Sequence, residues 1–77
     1  MKETLELIIN TLVDEKSSVM INEINGEKSI VYEVKVAKED MGKIIGKQGK
    51  IAKSIRTIIK ALASKRGKRV SVEFIEN

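Results

Sequence analysis

Residues 41–51 read MGKIIGKQGKI, and they hold three of the five glycines in a chain of 77 residues. Two of these glycines enclose two polar residues in the tetrapeptide Gly46-Lys47-Gln48-Gly49. Glycine adopts backbone conformations that other residues avoid, and it lets a ligand approach the main chain closely. A lysine lies inside the tetrapeptide and Lys50 follows it. Since helix N-termini bind anions, a turn of this kind that opens a helix predicts an anion-binding site.

Basic residues are concentrated around this turn. The formal net charge of the chain is only +4, but residues 38–69 carry +9, whereas residues 1–37 carry −3 and residues 70–77 carry −2. A focused positive field on a weakly charged chain indicates a local site for a polyanion.

The composition excludes several classes of function. The length predicts one domain, residues 1–77, and the absence of Cys and His removes thiolate sites, the commonest general base and the commonest zinc ligand. We therefore expect no catalytic residue, no metal and no cofactor. No apolar segment approaches 18 residues and the N-terminus lacks a signal-peptide pattern, so we expect a cytoplasmic protein with no membrane partner.

Hydrophobic periodicity predicts a helix and a hairpin in the first half of the chain. Residues 2–15 predict a helix whose apolar stripe comprises Leu5, Ile8, Ile9, Leu12 and Val13. Residues 18–24 and 29–37 predict two strands. Between them, Asn25-Gly26 predicts a tight turn with positive φ angles.

The second half predicts two helices and a strand. A short helix over 38–45 is expected to end at Gly46, and a longer one over 49–65 to end at Gly67. The predicted buried stripe of the longer helix comprises Ile51, Ala52, Ile55, Ile58, Ile59 and Leu62. The side chains of residues 69–75 alternate with the period of two that is typical of a strand, which predicts a third strand. Three helices on one face of a three-stranded sheet make a two-layer α+β fold.

Residues 44–50, between two predicted helices, resemble the GXXG signature of KH domains. The element order αββααβ is similar to the type II arrangement of that family. The whole chain, and residues 38–56 in particular, resembles the small bacterial KhpA (YlqC-like) family of RNA-binding proteins. Two glycines three apart are weak evidence alone, but the flanking isoleucines, the helices and the local charge strengthen the resemblance.

The resemblance implies a loop that clamps the backbone of about four nucleotides of single-stranded RNA. Lys47 would supply a charge and Gln48 a neutral hydrogen-bond donor, beside the unpaired amides at the start of the longer helix. The expected RNA-binding residues are Lys43, Ile44, Ile45, Gly46, Lys47, Gln48, Gly49, Lys50 and Lys53. Because neighbours on a helix point apart, Ile44 and Ile45 cannot both face a ligand, and the sequence does not choose between them.

The two aromatic residues, Tyr32 and Phe74, both fall on the strand face predicted to be core. Bases are therefore expected to lie on an aliphatic floor rather than on exposed rings.

Three alternatives to this reading remain open. The first is a protein-interaction or assembly module on a KH scaffold, and the resemblance implies a homodimer or a heterodimer with a larger KhpB (Jag)-type protein. The second is a single-stranded DNA binder, and the third, an enzyme, is least favoured. A Walker A loop is excluded, because the spacer before Gly46-Lys47 is one residue short and Gln48 replaces the hydroxyl residue.

Overall fold

The computed structural model describes residues 1–76, except for the side chains of Lys47 and Glu76. The elements in chain order are α1 (Lys2–Leu12), β1 (Met20–Asn25), β2 (Ser29–Val36), α2 (Lys38–Lys65) and β3 (Arg69–Glu76). One turn of 3-10 helix, Lys16–Ser18, lies between α1 and β1.

Helix α2 is interrupted inside the glycine-rich stretch. Gln48 and Gly49 have φ angles of 62° and 70°, whereas a right-handed helix requires negative φ. These residues divide α2 into an N-terminal arm, residues 38–47, and a C-terminal arm, residues 50–65. With α1, the two arms make three helices, which confirms the predicted order αββααβ and the α+β class. The interruption lies at Gln48 and Gly49 and not at Gly46, which remains helical.

The sheet is mixed, and β2 is its central strand. Strand β2 pairs antiparallel with β1 and parallel with β3. The inward residues of β2 are all buried, and they are Ile30, Tyr32, Val34 and Val36. They belong to one core with the buried helical residues Leu5, Ile9, Met41, Ile44, Ala52, Ile55, Ile59 and Ala63. The three helices therefore cover one face of the sheet, as predicted.

Helix α1 ends three residues earlier than predicted, and a buried carboxylate explains why. Val13 is extended, with φ −94° and ψ 153°. The Asp40 carboxylate, on the first turn of α2, accepts hydrogen bonds from the backbone amides of Asp14 and Glu15, each at 3.0 Å. These bonds hold the chain after Val13 outside the helix. Asp40 is only 1% exposed.

The two predicted glycine turns have different outcomes. The prediction of positive φ at Asn25-Gly26 is wrong, because neither residue adopts it. Residues 26–28 instead form a loop in which the Gly26 amide donates to the Ser29 carbonyl oxygen at 2.7 Å. The prediction that Gly67 ends α2 is confirmed. Gly67 has φ 70°, and the hydrogen bond from the next amide, of Lys68, to Ala63 closes the helix.

The buried stripe of the C-terminal arm differs from its prediction at Ile58, which is 46% exposed. Adjacent helical residues lie about 100° apart around the axis. Because Ile59 points directly into the core with 0% exposure, Ile58 is turned toward solvent.

Candidate nucleic-acid interface

The interruption of α2 places two left-handed residues side by side. Gln48 is the one non-glycine residue with positive φ among residues 1–76. A Cβ atom makes this conformation unfavourable, whereas Gly49, which has none, adopts it without steric cost. Backbone strain of this kind is concentrated at functional sites. The Gln48–Gly49 pair therefore marks the junction of the two arms as the candidate site.

Open space lies above the glycines of the tetrapeptide. A Cβ atom added at Gly46 or at Gly49 would meet no neighbouring atom within 4 Å. Gly46 is helical, and a helical conformation does not require glycine. Glycine in a helix lowers the stability of the protein by roughly 0.5–1 kcal/mol relative to alanine. The protein's own fold thus gives no reason for glycine at position 46, whereas close approach of a ligand does.

A shallow groove beside the N-terminal arm is lined by Lys38, Met41, Gly42, Ile45 and Phe74. The sequence did not choose between Ile44 and Ile45 as the residue that faces a ligand. In the structure Ile45 is 51% exposed, whereas Ile44 is 1% exposed. Ile45 faces the groove. Ile44 packs in the core, so its side chain cannot contact a ligand there, although it was among the expected RNA-binding residues.

Phe74 departs from its expected place in the core. It is only partly buried, and the Arg56 guanidinium lies over its ring, with Cζ 5.2 Å from the ring centroid. The Arg56 Nε–H also donates to the Val72 carbonyl oxygen at 3.1 Å. An aromatic ring therefore forms part of the groove wall. Alternation within β3 identified the inward face, but it could not show how deeply each inward side chain of this edge strand is buried.

Two of the expected lysines follow the junction directly. Lys50 and Lys53 are exposed at the start of the C-terminal arm, where they line a second shallow depression with Ser54 and Thr57. Cations are unfavourable at the positive end of a helix dipole. An anionic ligand at the junction would relieve that repulsion. The side chain of Lys47 lies outside what the structure describes.

Lys43 is not a free cation. Its ammonium forms ion pairs with the carboxylates of Asp14 and, at 3.4 Å, Asp40. The hydrogen bond to Asp14 is the largest cause that raises the pKa of Lys43. Sequence reasoning missed the pair with Asp14 because Asp14 lies 29 positions earlier in the chain, whereas Asp40 is only three positions away on the same helix.

Residues 1–76 contain neither a cluster of metal ligands nor a membrane-spanning helix. No group of three or more His, Cys, Asp and Glu is placed to hold a metal ion. Neither α1 nor α2 combines the length and the hydrophobicity that crossing a membrane requires.

Comparison with known proteins gives concordant matches. The family model described as KhpA/KhpB, KH domain, matches residues 2–74. The RNA-binding protein KhpA of Clostridium acetobutylicum is 60% identical over 75 residues, which are 97% of this chain and 100% of the relative. The protein of the same name from Clostridium perfringens is 57% identical over the same shares. That of Aquifex aeolicus is 47% identical over 76 residues, 99% of this chain and 96% of the relative.

Proposed function

Because the chain belongs to the KhpA/KhpB family of KH domains, we propose that it binds single-stranded RNA and clamps a backbone segment of about four nucleotides. Residues 1–77 act as one KH domain in this proposal, which is a binding function without catalysis. The names of the relatives, each called an RNA-binding protein, support it. We place the activity in RNA regulation in the cytoplasm.

The observation that carries the proposal is the open, glycine-flanked junction in α2. The left-handed pair Gln48–Gly49 separates the two arms, so the first amides of the C-terminal arm would be available to a ligand, as those at a helix N-terminus generally are. A phosphate above Gly46 and Gly49 would reach those amides unhindered, because no neighbouring atom occupies the space that a Cβ would take. Lys47, Gln48, Lys50 and Lys53 would supply side-chain contacts to the same backbone.

The bases would lie in the adjoining groove. Ile45 provides an exposed aliphatic surface, and the partly exposed Phe74 ring provides a second apolar wall. Stacking of a base on an aromatic ring contributes about 1–3 kcal/mol, but Arg56 already covers part of this ring. The groove would therefore bind single strands weakly and with modest base preference. Ile44 would act from the core, by fixing the helix that presents Ile45.

The test is a double variant in the tetrapeptide, Lys47→Asp with Gln48→Asp. Two carboxylates would repel the phosphates, so retention of a fluorescein-labelled single-stranded RNA of about ten nucleotides is expected to fall at least tenfold. Asp tolerates the left-handed conformation better than most residues, so position 48 should keep its backbone. Fluorescence anisotropy measures the affinity, and circular dichroism checks the fold.

A matched control distinguishes contact with RNA from bulk charge. Lys60→Asp with Ser64→Asp changes the net charge by the same amount at two exposed positions of the C-terminal arm, remote from the junction. This control should lose clearly less affinity than the tetrapeptide variant. Equal loss in both variants, or no loss in the first, would contradict the clamp. Competition with DNA of the same sequence decides whether the site prefers RNA.

We further propose that the protein acts as a pair, either with itself or with a larger KhpB (Jag)-type protein. A single short groove gives low affinity, and a linked second groove raises it through effective concentration. The joint KhpA/KhpB description of the family supports this. Light scattering with and without RNA measures the stoichiometry, and a protein that is monomeric in both conditions argues against self-pairing.

A further inference from the structure

Three charged residues form a cluster close to the proposed clamp. The Lys43 ammonium lies between the carboxylates of Asp14 and Asp40. Asp40 is buried, and both of its oxygens also accept backbone hydrogen bonds, from Asp14 and Glu15. The cluster has one positive and two negative charges, so Lys43 adds no net positive charge to this surface.

The two acids of the cluster differ in exposure. The side chain of Asp40 is 2% exposed, whereas that of Asp14 is 81% exposed. The backbone of Asp14 is nevertheless fixed, because its amide donates to the buried Asp40 carboxylate at 3.0 Å. The Asp14 carboxylate is therefore an exposed anion that the fold holds against Lys43.

Lys43 is also close to the clamp. It precedes Gly46 by three residues in the N-terminal arm, and residues three apart are neighbours on a helix surface. Its side chain is 48% exposed, so an external phosphate could reach the ammonium. An anion from RNA and the Asp14 carboxylate would then compete for one cation.

We propose that Asp14 occupies Lys43 in the free protein as an RNA phosphate would, and thereby lowers the affinity of the clamp for RNA. This autoinhibitory contact rests on the proposed function. The hydrogen bond to Asp40 holds the backbone of Asp14 in place. The ion pair with Asp14 keeps the Lys43 ammonium from contacting RNA. Removal of the Asp14 charge frees Lys43 for one additional phosphate contact.

The primary experiment compares Asp14→Asn with the parent protein. Anisotropy with the labelled RNA at low salt should show affinity raised by roughly two- to fivefold, the range of an exposed ion pair. One additional phosphate contact should also steepen the slope of log K against log salt by about 0.7, the single-strand value. Since the Asp14 side chain is exposed, the variant should fold, which its thermal denaturation checks.

The matched control is Glu27→Gln, which changes the net charge by the same amount. Glu27 is exposed in the loop between β1 and β2. That loop adjoins the end of α2, because the Arg69 amide donates to the Lys28 carbonyl oxygen. The C-terminal arm, about 24 Å long, separates this end from the junction. Glu27→Gln should leave the affinity within the error of the parent.

A double-mutant cycle identifies Lys43 as the group involved. In the Asp14→Asn background, Lys43→Gln should remove the gained affinity for RNA. In the parent background, the same substitution should lower the affinity by a smaller factor. A gain from Asp14→Asn that persists without Lys43 would overturn the proposal. So would equal affinities of Asp14→Asn, Glu27→Gln and the parent, although RNA binding itself would then stand. Absence of binding by all three proteins would overturn the proposed function and the masking together.

Discussion

Asp40 shows how one side chain determines the local path of the chain. Its carboxylate is buried between the first turn of α2 and the segment after α1, and it accepts two amides from that segment. Buried polar groups persist where their hydrogen bonds are satisfied. Asp40 thus fixes the segment that carries Asp14, and through it the charge environment of Lys43.

This arrangement predicts an acid-dependent loss of stability. Hydrogen bonds from the Asp14 amide, and then from the Glu15 amide, lower the pKa of Asp40 from its ordinary value of 3.8. The ionised form is favoured by folding, so its contribution is complete above 3.8 and disappears as pH falls through the lower folded-state pKa. Asp40→Asn should lower the melting temperature at neutral pH by about 5 °C and flatten the acid dependence. Thermal denaturation against pH measures both.

The control for Asp40 is its exposed neighbour, since Glu39→Gln removes a charge from the same helical turn without touching the two amides. It should retain the acid dependence of the parent. If the two variants follow the same pH profile, the buried carboxylate does not have the role assigned to it.

At the scale of the element, the two glycines of the tetrapeptide predict opposite effects on stability. Gly46 is helical with open space above it, so Gly46→Ala should raise the free energy of unfolding by about 0.5–1 kcal/mol. Gly49 has φ 70°, so Gly49→Ala should lower it by about 1–2 kcal/mol. Both should weaken RNA binding, because each adds a methyl group where the backbone of the ligand would lie.

Urea denaturation and RNA anisotropy on the same two variants measure these effects. A more stable Gly46→Ala protein with weaker RNA binding would separate the role of this glycine from folding. Loss of stability in Gly46→Ala would show that the fold requires this glycine, and it would remove the main observation behind the clamp.

At the scale of the whole molecule, Tyr32 reports on the entire core. It is the one tyrosine of the chain, it lies in the central strand, and it is 1% exposed. Burial first, then a hydrogen bond to the Glu23 carboxylate and its charge, raise the pKa of Tyr32 from 10.0 to about 12. Folding favours the protonated form, so this contribution is complete below pH 10 and is lost as pH rises from 10.0 through about 12.

Ultraviolet absorbance of tyrosinate follows this single group directly. Ionisation is expected well above pH 10, together with the loss of helical circular dichroism. Tyr32→Phe should lessen the alkaline destabilisation. Ionisation near the ordinary pKa with the helices intact would mean that the ring is accessible in the folded protein.

Short-range patterns in the sequence were sufficient for the class of fold and the location of the candidate site. The alternation in β2 predicted its buried face, Gly67 predicted the end of α2, and the tetrapeptide predicted the junction between the two helical arms. Each of these depends on backbone preferences and on side-chain periods of about two or 3.6 residues. Information of this kind is contained within a few adjacent residues.

Only the tertiary structure determined which side chains are available at that site. The packing of the helices buried Ile44 and exposed Ile45, and the position of β3 at the sheet edge brought Phe74 into the groove. The pairing of Lys43 with Asp14 joins residues 29 positions apart, and so it depends on the fold. Contacts between distant residues form when the elements pack, and no local preference encodes them.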